Sequence, residues 1–337
     1  MKPVARRQTL PWLPCLAAAL AAALLFSLWA GSFPIPLGEV LAIVFGLDRG
    51  ADASPAHQAV VLRLRLPRAL LTALVGAALG AAGGAFQAVL RNPLADPYVL
   101  GVSGGAALGA VAALSFGVVA SWGVPLAALA GALGALAVVY AVAQAHRASP
   151  HTLILSGVMV GSFSAALLLF LLWLSPADST KTALFWLAGD LSSADPELLP
   201  WVGAWTGVAF LFLWVQAPAL DLFTQGEEAA SDLGLDVGRR RLGIFAAAGA
   251  LTAGAVACAG LVGFVGLVVP HAVRILWGPV HRRLLPACAL LGAAFLVGAD
   301  AAARTVLSPA EIPVGVVTAL VGAPFFLYLL RRGEGDA

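Results

Sequence analysis

Charged residues in this chain come in clusters, and the runs between them are apolar and about 20 residues long. One helix of that length spans a bilayer core of roughly 30 Å. Nineteen Lys and Arg and 17 Asp and Glu are spread over 337 residues, so 11% of the chain is charged and 61% is hydrophobic. A soluble domain carries roughly 25% charged and about 45–50% apolar residues. So few charges cannot cover a water-soluble protein of this size. A transmembrane barrel would alternate polarity over segments of about 10 residues, and no such segments occur. The fold class is therefore all-α: a polytopic helical membrane protein.

About ten transmembrane helices are expected, at 10–30, 66–90, 98–119, 122–144, 152–174, 199–218, 242–262, 266–278, 284–302 and 312–330. The first run exceeds a signal-peptide core of about 7–15 residues, so it reads as an uncleaved span. The uncharged stretch from Gly243 to Val273 covers 31 residues. As one helix it would be about 46 Å long, which overshoots the core. Gly260, Gly263 and Gly266 supply a break. The chain 1–337 is thus one membrane domain. Segments 31–65 and 175–198 lie on one side and the 219–241 loop on the other, with spans 2–5 in 66–174, span 6 at 199–218 and spans 7–10 in 242–330.

Lys and Arg placement orients the chain. With both termini in the cytoplasm, thirteen cationic residues lie inside, among them Lys2, Arg6, Arg7 and Arg147, and six lie outside. The outer six are Arg49, Arg63, Arg65, Arg68, Lys181 and Arg304. Two readings fit these exceptions. Long side chains snorkel to headgroups, or the cations form a docking surface for an acidic partner, where charge fixes register. Pro36–Gly46 and Thr180–Ala188 have the pattern of helices lying at the interface.

The spans hold almost no ionisable groups; Asp300 is the main one, near an outer end. Ion-coupled carriers keep acids or bases at mid-membrane, so this scarcity argues against a secondary transporter. Glycines four apart, such as Gly76, Gly80 and Gly84, suit close helix packing. A phosphate-binding G-x-x-x-x-G-K-[ST] loop needs a lysine. The two lysines are Lys2 and Lys181, and Thr180 rather than Gly precedes the latter. No ATP site is expected; if transport is ATP-driven, a separate subunit must hydrolyse the ATP and push on an inner loop. The largest inner loop, Asp221–Arg241, contains Gly226-Glu227-Glu228-Ala-Ala230, then Leu233-Gly234-Leu235. It reads as a bare charged loop or as a short helix seated in a partner's groove. Arg91–Pro97 reads as a tight turn. Cys15, Cys258 and Cys288 are core residues, and the five histidines, His146 among them, make no H-E-x-x-H. No catalytic, metal or nucleic-acid site, and no cofactor bound by this chain, is expected.

Several motifs together resemble a known family. They are Arg65-Leu-Pro-Arg68, Gly76…Gln87, Arg91-Asn-Pro-Leu-Ala-Asp-Pro97 and Leu100-Gly-Val-Ser-Gly-Gly-Ala106. Later come Gly226-Glu227…Leu233-Gly-Leu235, Gly263-Phe-Val-Gly-Leu-Val-Val-Pro-His271, Asp300…Arg304, Glu311-Ile-Pro-Val-Gly-Val-Val-Thr318 and Gly322-Ala-Pro-Phe325. The order resembles the permease subunits of bacterial ATP-binding-cassette (ABC) importers for iron–siderophore, haem and cobalamin. The resemblance implies a homodimeric inner-membrane permease of ten helices, with an inverted repeat of spans 2–5 and 7–10. An ATPase dimer would bind on the cytoplasmic side and a solute-binding protein on the periplasmic side, with membrane lipid around. It also implies that Arg65, Arg68 and Arg304 dock the binding protein. Gly226, Glu227, Glu228, Ala230, Leu233, Gly234 and Leu235 would couple to the ATPase. Asn92, Leu94, Ser149, Pro150 and His151 would close the cytoplasmic gate, although Pro150 and His151 depart from the small hydroxyl residues of relatives. Ferric siderophore is the expected cargo, with cobalamin or haem as alternatives.

Overall fold

A computed structural model describes residues 12–47, 53–118, 122–144, 149–192 and 195–333. Lys2, Arg6, Arg7, Arg49, His146 and Arg147, used above for topology, lie outside the described residues. Every regular element among the described residues is helical. In chain order these are α1 (Trp12–Trp29), α2 (Leu37–Phe45), α3 (Pro55–Val89), α4 (Val102–Ser115), α5 (Gly123–Gln144), α6 (Pro150–Leu174) and α7 (Ala177–Leu187). Then follow α8 (Leu199–Val215), α9 (Ala217–Gln225), α10 (Glu227–Asp232), α11 (Val237–Ala259), α12 (Val265–Trp277), α13 (His281–Thr305) and α14 (Val314–Gly333).

Six helices are long and apolar enough to cross a membrane, and α8 with α9 makes a seventh, bent by 54°. Three shorter apolar helices, α4, α12 and α14, stand where the third, eighth and tenth spans were expected. The order long, short, long recurs in α3–α5 and α11–α13. α3 is the central helix, with 78% of its most apolar window inside the bundle, against 22% for α6.

Small residues let the helices meet backbone to backbone. A Cβ on Gly76 would stand 2.3 Å from the carbonyl oxygen of Gly292, and Gly292 meets Gly76 in the same way. α3 and α13 therefore touch along their main chains. Gly105 and Gly131 join α4 to α5 likewise.

The long apolar stretch is broken, as its length demands. α11 ends at Ala259, Gly260 takes φ +66°, and α12 starts at Val265. A Cβ on Gly260 would meet the Trp186 carbonyl at 2.0 Å, so only glycine fits beneath α7. The two helices proposed to lie at the interface are present as α2 and α7.

Three boundaries differ from the sequence reading. α3 begins at Pro55, eleven residues before the expected start at 66, and runs through a π-helical turn, Val60–Arg65. Ser54 caps its first turn through the His57 N–H and Pro55 opens it, a start signal hidden by the arginines that follow. Arg304 lies inside the last turn of α13 and not in a loop. The 219–241 segment is largely helical: α9 buries Ala219, Leu220 and Phe223 against the bundle.

Candidate functional site

Polar side chains gather at the two ends of the bundle. At one end, the three clustered arginines of α3 diverge around the helix axis. Arg63 points to the surface. Arg65 is buried and donates from Nη1 to the carbonyls of Leu28 and Trp29, both at 2.8 Å, and from Nη2 to that of Phe33. Arg68 donates to Asp300 Oδ1 from Nη2 at 2.8 Å and to Glu311 Oε2 from Nη1 at 2.8 Å. Arg304 donates to the Ser27 carbonyl at 3.1 Å and hydroxyl at 2.8 Å. Its Nε lies 3.1 Å from the second oxygen of Asp300.

The last carbonyls of a helix have no partner within it. Arg65 and Arg304 supply donors and positive charge there, at the negative end of α1. Arg65 and Arg304 are only 5% and 6% exposed, and Asp300 is wholly buried. Local cationic capping thus accounts for two of the arginines that break the charge rule. All four arginines still line one cavity of about 310 Å³, with Glu311 as the one acid among the described residues that line it.

At the opposite end, Gly226 turns the chain with φ +123° and α10 follows. Ala230 is fully buried and anchors this short helix. Glu227 pairs with Arg241 of α11 at 2.5 Å, and the Arg241 guanidinium lies 5.9 Å from the Phe223 ring centre. Glu228 is exposed, Leu233 is 68% exposed, and Gly234 turns the chain at φ +82° before Leu235. The Asp236 carboxylate then caps α11 by accepting from the Arg239 N–H. The result is an apolar tip on a clamped helix. His281, at the start of α13, is tied to Asp221 of α9 by two bonds of 2.9 and 2.7 Å.

The expected gate residues sit in the connections that lead into α4 and α6. Asn92 Oδ1 accepts from the Leu94 N–H at 2.9 Å, which leaves Leu94 half exposed. Ser149 caps α6 by accepting from the Thr152 N–H, Pro150 takes the first helical position, and His151 is exposed. α4 and α6 meet where Gly101 faces Gly157. Asp96 follows Asn92 and holds the Tyr98 N–H at 2.8 Å; burial pushes its carboxyl up to about 6, against that hydrogen bond. The Tyr98 hydroxyl accepts from the Val262 N–H at 2.6 Å, linking the broken stretches of the two halves.

Four polar contacts between distant residues escape sequence reading. Arg68 and Asp300 are 232 positions apart, and Arg274 bonds Gln87 across 187. Glu227–Arg241 and Asp221–His281 are likewise nonlocal. Asp300–Arg304, by contrast, carries a sequence signal, the four-residue helical spacing.

The FecCD transport family model matches residues 19–332. The chain is 41% identical over 327 residues to the ABC transporter permease protein YvrB of Bacillus subtilis, covering 94% of this chain and 92% of that one. It is 44% identical over 310 residues to the cobalamin import system permease BtuC of Halobacterium salinarum, covering 90% and 81%. Its identity to the vitamin B12 import system permease BtuC of Shigella boydii is 38% over 335 residues, covering 98% and 97%. A solved inward-facing conformation of a metal-chelate type ABC transporter superposes with a TM-score of 0.82 at 32% identity, covering 95% of this chain and 98% of that one. On this evidence the chain belongs to the FecCD transport family: it is a multi-pass permease subunit of an ABC importer for metal chelates, whose ATPase is a separate subunit.

Proposed function

We propose that this permease imports a corrinoid, cobalamin, through the interface of a homodimer. The observation that carries the cargo is the likeness over most of the chain to relatives named as cobalamin and vitamin B12 permeases. Ferric siderophore, the cargo expected above, is the competing reading. Haem is the third.

The arginine end faces the periplasm and the α10 end the cytoplasm. A solute-binding protein docks acidic residues over the cavity lined by Arg63, Arg65, Arg68 and Arg304. On the other side, α10 and its Leu233 tip seat in an ATPase subunit. ATP binding shifts the clamped α10–α11 unit and the two permease copies rock between outward- and inward-open states. Leu94 and His151 close the inner mouth. A second copy covers α6, which leaves Leu155, Met159, Phe163 and Trp173 exposed in the single chain. The scarcity of ionisable groups in mid-span supports a passive pathway, with capture and energy supplied by partners.

Reconstitution with the ATPase and binding protein tests this. ATP-dependent uptake of labelled cyanocobalamin, exceeding that of ferric siderophore, is expected. Uptake without the ATPase, driven by a proton or sodium gradient, would sink the importer mechanism. Siderophore uptake in excess would transfer the cargo to the competing reading.

A further inference from the structure

An apolar groove of about 640 Å³ runs between α8 and α11, with one mouth beside the α10 end of the site. Trp201, Trp205 and Phe212 of α8 form its wall, while Gly243, Ala246 and Ala250 of α11 form its floor. The Trp205 indole donates to the Ala250 carbonyl at 2.8 Å, which fixes wall to floor. A Cβ on Gly243 would come within 3.1 Å of the Phe212 ring, so the small floor sets the depth. From Trp201 to Phe212 the wall rises about 16 Å along the helix. The wall covers most of α8, which starts two residues before Trp201.

Cations stand at one mouth. Arg239 and Arg240 precede Gly243 by four and three positions, so they lie on the same face of α11, one turn beyond the groove. Arg240 donates to Gln216 Oε1 at 2.6 Å, and the amide nitrogen of Gln216 lies 4.0 Å from the Cβ position of Gly243. The Arg239 side chain is 90% exposed, with Asp236 3.3 Å away. No carboxylate lines the groove.

We infer that this groove holds an anionic phospholipid, one acyl chain along the floor of α11 and the phosphate on Arg239 and Arg240. A narrow apolar slot about 16 Å long takes a single acyl chain, and a cationic pair at its mouth selects a negative headgroup over a zwitterionic one.

Native mass spectrometry of the full chain in detergent, with added phosphatidylglycerol or phosphatidylcholine, tests the assignment. Phosphatidylglycerol is expected to stay bound and phosphatidylcholine to be lost. The double variant Arg239→Gln/Arg240→Gln lowers phosphatidylglycerol retention about 30-fold, from ~1 kcal/mol per arginine. Ala246→Trp fills the floor, leaves both arginines and also loses the lipid. Should that variant fail to fold, Val208→Trp on the exposed wall makes the same test. Equal retention of the two lipids, or wild-type retention in either variant, overturns the proposal. So does displacement of the lipid by soluble glycerol phosphate, which would mark a free-phosphate site. Occlusion of the groove by a second copy in the purified dimer overturns it as well.

Discussion

Arg304 donates to both the carbonyl and the hydroxyl of Ser27, joining the last turn of α13 to the end of α1 across 277 positions. The same side chain faces Asp300, one turn earlier, which is wholly buried and also holds Arg68. Arg304→Ala therefore removes a cap from α1 and one of two cations from a buried carboxylate. Breaking a buried pair costs about 3–5 kcal/mol when no partner remains, and Arg68 still holds Asp300, so the loss lies below that. A fall in melting temperature in detergent is expected. Asp300→Asn should cost less in the Arg304→Ala background than alone, because the pair is already broken. An additive double variant would show that the two residues act independently.

Arg63 offers the cleaner test of docking. It is exposed, whereas Arg65, Arg68 and Arg304 are held by carbonyls and carboxylates of the chain itself. Arg63→Glu should leave the melting temperature unchanged, weaken association with the solute-binding protein and reduce its salt dependence. Unchanged association, measured by surface plasmon resonance at low and high salt, would remove Arg63 from the interface.

Much of the fold was legible because lipid allows few solutions. Twenty-residue apolar runs, an overlong run with three glycines and small residues at four-residue spacing each point to one arrangement. The start of α3 was missed because Arg63 and Arg65 look like a membrane boundary, while the π-helical turn carries the helix past them. Arg65 and Arg304 stood out as exceptions to the charge rule. Their partners are main-chain carbonyls of α1, which no side-chain pattern reveals. Glu227 was picked out from its motif, but Arg241 was not, since that pairing depends on how α10 folds back on α11.

Backbone contact between α3 and α13 makes Gly76 intolerant of any side chain. A Cβ there would stand 2.3 Å from the Gly292 carbonyl oxygen, so the two helices must separate. Gly76→Ala should sharply lower the yield of folded protein by size-exclusion chromatography. Gly134→Ala in α5, where nothing lies within 4 Å of the new Cβ, should behave as wild type.

Asp96 gives a pH dependence of known sign. Burial holds its carboxyl at about 6, while an unfolded aspartate ionises near about 4. Between those values the native state keeps a proton that the unfolded chain has released. Stability therefore falls as pH rises from about 4 to about 6 and stays lower above. Asp96→Asn keeps an oxygen for the Tyr98 N–H and removes this contribution. The difference in melting temperature between variant and wild type should grow in the variant's favour across that window. A constant difference would count against a proton on Asp96.

Coupling to the ATPase separates two residues of one element. Leu233 is exposed at the tip after α10, and Glu227 is clamped to Arg241 at its base. Leu233→Asp places a charge where an apolar tip would enter the ATPase groove, without touching the bundle. Solute-stimulated ATP hydrolysis should drop severalfold while the melting temperature of the isolated permease holds. Glu227→Lys sets two cations against each other, so both stability and stimulation should fall. Pairing it with Arg241→Glu rebuilds the clamp in reverse and should recover the stability. If the reversed pair also restores stimulation, Glu227 acts by holding α10 in place; if stimulation stays low, the carboxylate itself meets the ATPase.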